Sequence, residues 1–481
     1  MLESTDAKPA ARLAGKLGPT AIVFMVVAAA APLTVIGGNM PLGMGLGNGA
    51  GAPVGFLIAA LVLLLFSVGF VAMTPHVREA GAFYSYVTEG LGRRAGLGIA
   101  FVALVSYTAI QAGIYGYIGW AVDDTVRFYG GPEIPWPLYS LLTLLIVAAL
   151  GYRHIDLSAK VLGVALVLEI GVVLILNLSI LANPGPEGLS LASFEPSTFT
   201  SGSLGVAVLF ALTGFIGFEA AAIFRDEARD PSRTIPRATY IAVFLIGAFY
   251  AFTCWMFVVA IGPAQVGDVA RQTLDGEANM LLDTTAAYLG TMGRDIVNIL
   301  LLTSLFACVL SFHNVITRYQ LALSRKGHLP AWLDSIHPHH KSPARSSIVQ
   351  TGTALILLAV FAIFNVDPLV GVFGSMAGVA TVGMVILLWT TTLAVIVFFR
   401  RGPGKQGGNT AKTLIVPILA LAGLSMSLVL VLANFTLVTG SSLTLSILLG
   451  TIPFLVFVLG MLRSRHVQRR DKKGVEMTTR S

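Results

Sequence analysis

The chain has 481 residues, of which 55% are hydrophobic and only 11% charged, with a mean hydropathy of +0.82. Soluble domains carry about 25% charged residues, so this composition excludes a soluble globular protein and points to an integral membrane protein. The formal net charge of +7 does not argue for a nucleic-acid partner, because the basic residues fall in loops between apolar runs, where they report topology.

Residues 1–18 form a polar tail with Glu3, Asp6, Lys8, Arg12 and Lys16 and no apolar core, so no cleavable signal peptide is expected. About twelve apolar runs follow, centred near residues 31, 63, 110, 144, 170, 214, 249, 306, 356, 385, 425 and 452. Each is about 20 residues long, the length of a membrane helix rather than of a barrel strand. The 51 glycines suit helices that approach one another closely.

The first run, residues 20–43, is interrupted by Ala30, Ala31, Pro32, Leu33 and Thr34. Pro32 lacks the donor that a continuous helix needs. In the third run Gln111 and Tyr115 are four residues apart and share a face; they either line a pathway or glue the bundle together. The fifth run carries Glu169. A carboxylate within a span is costly and functional by default, suited to reversible protonation or to holding a cation. The alternative is a paired, structural group near the cytoplasmic end.

The sixth run, residues 204–224, is interrupted at Thr213, Gly214, Phe215, Ile216 and Gly217, where the glycines weaken the helix. Glu219 follows the break by two residues and on its own reads as a packing hydrogen bond; a coupling role for it is what the family resemblance named below implies. Backbone left unpaired in a bilayer costs several kcal/mol unless protein, water or a ligand satisfies it. Two such breaks in corresponding halves point to a transporter's binding site. Beyond the second break, Arg225, Asp226, Glu227, Arg229 and Asp230 read as ion pairs of an inner gate.

The eighth run carries Ser311, at a place where the family resemblance named below implies a hydroxyl offered to a coupling ion, but its neighbour Leu310 has no oxygen. Hard cations want several oxygen ligands, so protons are expected ahead of sodium. Ser304, two turns away, is expected to cap local backbone. Cys254 and Cys308 lie within apolar runs and read as core packing rather than as a disulfide or metal site. His337, His339 and His340 fall in a loop without Cys or carboxylate partners and read as solvated; no metal is expected. The basic stretch 463–473 either contacts anionic lipid head groups or is a stop-transfer flank.

Of the 31 Lys and Arg residues, 28 fall in the N-terminal tail, in alternate loops or in the C-terminal tail; Arg127, Arg271 and Arg294 remain on the other side. This asymmetry places both termini in the cytoplasm. No phosphate-binding GxxxxGK[ST] loop occurs, which argues against an ATP-driven pump. The spans hold no convergent His, Cys or carboxylate cluster, so an enzyme is not expected, nor is a cofactor. No selectivity-filter loop suggests a channel.

Three stretches, PHVREAGAFYSYVTEGLGRRAG (75–96), GFIGFEAAAIFRDEARDPSRTIPRA (214–238) and NVITRYQLALSRKGHLPAWL (314–333), supported by LSAKVLGVALVLEIG (157–171), resemble the amino acid–polyamine–organocation (APC) transporters. The resemblance implies an all-α, LeuT-type fold. Spans one to five (19–182) and six to ten (203–400) would form inverted repeats, followed by two accessory spans (411–463) and a basic cytoplasmic tail (464–481). It implies a permease in the cytoplasmic membrane for an amino acid or small organic amine. The site would comprise Ala30, Ala31, Leu33 and Thr34 from the first span and Thr213, Gly214, Phe215 and Gly217 from the sixth, with Phe215 as a lid. Half-helix N-termini suit a carboxylate. Two departures bear on this. The Gly-Ser-Gly turn of many relatives is replaced by Pro32-Leu33-Thr34, similar to the Pro-x-Thr break of some putrescine importers, which favours an amine. Sodium-independent relatives often carry lysine where this chain has Glu169, so the charge there is reversed.

Overall fold

A computed structural model describes residues 18–77, 82–153, 159–218, 228–340, 342–401 and 409–478. Among the described residues the regular structure is helical, with no β-strand. Nine helical runs among the described residues are long and apolar enough to cross a membrane, and two shorter apolar helices, Trp136–Tyr152 and Leu204–Thr213, accompany them. The protein is thus a multi-pass membrane protein.

The first run opens with α1 (Pro19–Ala29), which gives way to an interruption at Ala30 and Ala31. Ala31 adopts φ 45° and ψ 73°, a left-handed conformation unusual for a non-glycine residue. The following proline is one cause, since it disfavours the α region for the residue before it. Helix resumes as α2, built from Pro32–Thr34, a π-helical turn at Val35–Asn39 and Met40–Gly43. Pro32 occupies the first position of the new segment, where its missing N–H costs nothing. The interruption therefore lies at Ala30–Ala31, and Pro32 begins the second half rather than sitting in the gap.

The chain continues through α3 (Ala52–Met73), α4 (Ala82–Leu91), α5 (Arg93–Phe128), α6 (Trp136–Tyr152) and α7 (Ala159–Ala182). The second break ends α8 (Leu204–Thr213), after which residues 214–218 form a turn. Gly217 has φ 109°, which only glycine adopts without strain. Then come α9 (Pro231–Ile261), α10 (Val266–Leu274) and α11 (Met280–Arg325), which kinks at Gly290. The last elements are α12 (Ala344–Ile363), a π-helical turn Pro368–Gly374, α13 (Ser375–Arg401), α14 (Val416–Ala433) and α15 (Leu443–Thr478).

The first broken segment packs on α7, α9 and α11, and the second on α3, α13 and α14. α5 is the axis of this packing and meets α11, α13, α15 and the Pro368–Gly374 turn. Small residues make the approach possible. A Cβ on Gly116 would stand 2.7 Å from Val372 Cγ1 and 2.8 Å from the Pro368 carbonyl. Gly116→Val forces these two segments apart, an overpacking cost of about 1–3 kcal/mol. The expected outcome is a clear drop in the thermal unfolding midpoint of detergent-purified protein; an unchanged midpoint would mean that the turn yields freely.

Candidate functional site

The break between α1 and α2 frees main-chain groups in an apolar bundle, and two side chains from other helices take them up. The Tyr250 hydroxyl on α9 donates to the Ala30 carbonyl at 3.2 Å. The Leu33 amide, at the start of α2, donates to Glu169 Oε2 on α7 at 3.4 Å. The same carboxylate oxygen accepts from the Ser304 hydroxyl on α11 at 3.0 Å. Glu169 is 4% exposed and lies ten residues into a 24-residue helix, so it is a mid-helix group rather than one at a helix end. Ser304 does not cap its own backbone, as the sequence suggests; its hydroxyl turns to the Glu169 carboxylate instead.

Beside the break lies a cavity of about 30 Å³, room for about two waters at roughly 10–15 Å³ each. Ala30, Ala31, Thr34, Val35 and Asn39 line it from the first run, and Thr213 and Ile216 from the second. Ile110 and Ile114 of α5, Cys308 and Phe312 of α11, and Phe373 of the π-helical turn complete the wall. Both breaks thus border one cavity. The Thr34 hydroxyl, on a residue 6% exposed, makes no hydrogen bond among the described residues. Thr213 donates to Leu209 O at 2.9 Å and shares a 2.5 Å hydrogen bond with Thr381 of α13. Asn39 spends its amide on Phe210 O at 2.9 Å.

Several expected residues lie elsewhere. Leu33 is buried beside the cavity and contributes its amide to Glu169. Gly214 packs on Val35, and Gly217 shapes the turn. Phe215 does not line the cavity; its ring stands edge-on to Tyr250 at 6.3 Å, and the aromatic walls are Phe312 and Phe373. Gln111 is fully buried and donates to Val309 O at 3.3 Å. It also accepts from Gln350, which in turn accepts from Gln320. Its amide needs partners, and α11 and α12 supply them, so the apolar neighbours Ile110 and Ile114 face the cavity instead. Tyr115 is buried, and its carbonyl accepts from Ser140 at 2.6 Å. Ser311 lies seven residues beyond Ser304 on the same face of α11, roughly 10 Å away, and is exposed rather than gathered at Glu169. Glu219 lies outside the described residues.

Of the two cysteines, Cys254 is core while Cys308 is half-buried and lines the cavity. Sequence periodicity gave no sign of this difference. Among the described residues no group of His, Cys, Asp or Glu is placed to hold a metal. His337 accepts hydrogen bonds from the main-chain amides of His339 and His340 through Nδ1 and so organises its own loop. Arg225, Asp226 and Glu227 lie outside the described residues. Asp230 begins α9 and accepts from Ser232 at 2.6 Å; that hydroxyl, with the Arg233 guanidinium behind it, holds its carboxyl below the usual carboxylate range.

The sequence model of the family described as amino acid permease matches residues 22–473. The chain belongs to this family. An uncharacterized transporter of Mycobacterium tuberculosis is 28% identical over 325 residues, covering 65% of this chain and 66% of the relative. The match therefore spans just under two thirds of that protein's length. A branched-chain amino acid permease of Bacillus subtilis is 24% identical over 335 residues, 65% of this chain and 70% of its own. A serine/threonine exchanger of the same organism is 21% identical over 405 residues, 82% and 85% of the two chains.

The Tyr250–Ala30 bond gives a test of how the break in this permease is held. Tyr250→Phe leaves a buried carbonyl without its donor, a cost of about 1–3 kcal/mol. The thermal midpoint in detergent is expected to fall while the ring packing against Phe56 and Phe215 persists. An unaltered midpoint would show that the Ala30 carbonyl finds another partner.

Proposed function

We propose that this permease is a secondary transporter that moves an amino acid or related small organic amine by alternating access, coupled to protons. The observation that carries the reading is the Glu169 carboxylate, held at mid-helix between the first amide after the break and Ser304. The start of a helical segment carries partial positive charge. An ionised Glu169 therefore ties α7 and α11 to α2, and protonation weakens the tie. Substrate at the cavity contacts the same α2 residues, so proton and substrate bias one movable element. Sodium is the weaker candidate, because a hard cation would need more oxygens than Glu169 and Ser304 present.

The run 19–76 divides at Gly47, whose φ/ψ is non-helical. With the two shorter apolar helices, this supports a reading of twelve spans: inverted repeats at 19–182 and 203–400, accessory spans at 411–463, and both termini on the basic, cytoplasmic face of the cell membrane. The basic tail, 464–481, would then meet anionic lipid. An amine without a carboxylate is a second reading. Pro32 has no amide to offer and the Leu33 amide is already engaged by Glu169, which leaves a substrate carboxylate fewer donors at the break.

Proteoliposomes with a panel of radiolabelled amino acids and their decarboxylated amines test both readings. An imposed gradient, acidic on the side of substrate entry, is expected to raise uptake severalfold. Glu169→Gln keeps the hydrogen-bonding shape and loses the titration, so its uptake should become nearly independent of pH with substrate choice unchanged. Equal pH profiles for variant and parent would remove Glu169 from coupling. Gly214→Leu drives a side chain towards Val35, whose Cγ1 lies 3.0 Å from the Cβ position, and is expected to abolish binding; undiminished uptake would place the site elsewhere.

A further inference from the structure

A cluster of cations lies away from the broken runs, at the end of the bundle where α5 begins and the apolar part of α15 ends. The two helices meet backbone to backbone there: a Cβ on Gly460 would stand 2.8 Å from Gly98 Cα. Three residues past Gly460, the Arg463 guanidinium donates through Nε to the His328 carbonyl at 2.6 Å. Lys326, just beyond α11, sets its ammonium over the Tyr84 ring of α4, 4.6 Å from the centroid. Arg93, the first residue of α5, is exposed, and its charge reaches the same turn. Burial, and then the Arg93, Lys326 and Arg463 charges, hold the part-buried His328 ring below the usual histidine range. We propose that Arg93, Lys326 and Arg463 form a binding site for the phosphodiester of an anionic phospholipid, centred on the His328 turn, with the acyl chains along the exposed face of α15. The site is independent of what the permease carries.

Like charges gathered on one turn repel, and a phosphate relieves that repulsion. Guanidinium and ammonium groups are the side chains that suit phosphate oxygens. Topology alone does not ask for this arrangement. It needs positive charge on one face of the membrane, not cations from three helices fixed around one loop by a carbonyl and a ring. Arg325, next in the chain to Lys326, is taken by Asp334 at 2.9 Å and stands apart from the cluster. The apolar half of the ligand also has a place. Leu459 and Leu455, four and eight residues before Arg463, are 61% and 56% exposed, and that spacing puts them on its side of the helix. An exposed apolar track thus leads along α15 to the guanidinium, as an acyl chain leads to its headgroup. A free phosphate ion would use the charges and leave the track idle. Basic pockets at the ends of spanning helices hold anionic head groups in this manner.

The experiment titrates full-length, detergent-purified protein with phosphatidylglycerol, following the thermal unfolding midpoint and, by native mass spectrometry, the bound lipid. Phosphatidylglycerol is expected to bind and raise the midpoint, and phosphatidylcholine to do neither. Glycerol 3-phosphate and inorganic phosphate, which carry the charge without the chains, are expected to bind at least about tenfold more weakly. Arg93→Gln, Lys326→Gln and Arg463→Gln combined should weaken phosphatidylglycerol about tenfold or more. Arg93→Gln alone, at an exposed side chain, keeps the test valid if the triple variant does not fold, and should cost about fivefold. Glutamine at Arg465, Arg469, Arg470, Lys472 and Lys473 of the tail should leave the affinity nearly unchanged. No binding of phosphatidylglycerol, equal binding to parent and Arg93→Gln protein, or a loss in the tail variant instead would overturn the site. Inorganic phosphate or phosphatidylcholine binding as well as phosphatidylglycerol would overturn an anionic lipid as its occupant.

Discussion

A helix interrupted inside an apolar bundle leaves amides and carbonyls without their helical partners, and the rest of this structure is arranged around answering them. At the first break the answers come from other helices: Tyr250 for the Ala30 carbonyl and Glu169 for the Leu33 amide. Because the partners are distant in sequence, the shape of the break is a property of the assembled bundle rather than of the segment. Glu169 carries a further obligation. A buried carboxylate must itself be satisfied, and Ser304 meets part of that need. One hydrogen-bonded chain thus joins α2, α7 and α11 at the edge of the cavity.

The breaks were legible in the sequence because proline and glycine state their backbone consequences locally. Pro32 could not continue a helix, and Gly217 marked a conformation closed to other residues. Glu169 was legible as well, because a carboxylate inside an apolar run has few bland explanations. What the sequence withheld was lateral. Gln111 and Tyr115 shared a polar face, and polar faces turn inward, but inward meant towards Val309 and Gln350 rather than towards the cavity. Phe215 stood beside a glycine break and suggested a lid, yet its ring packs on Tyr250, while Phe373, from a turn with no distinguishing pattern, lines the wall. Periodicity says which side chains share a face; it does not say what that face meets.

Placement also corrected the weight given to single residues. Ser304 and Ser311 occupy one face of α11, and only the former reaches the carboxylate. Cys254 and Cys308 looked alike as residues of apolar runs, and only the latter borders the cavity. In each pair the chemistry is shared, and position decides: depth along one helix for the serines, a different helix for the cysteines.

The three glutamines that join α5, α11 and α12 carry a consequence of their own. Gln320 gives a hydrogen bond to Gln350, Gln350 gives one to Gln111, and Gln111 gives one to a main-chain carbonyl. Every link points the same way, as teeth on a ratchet do. Sliding any one of these helices by a single residue would strand amides in hydrocarbon, so the three hold one another in register.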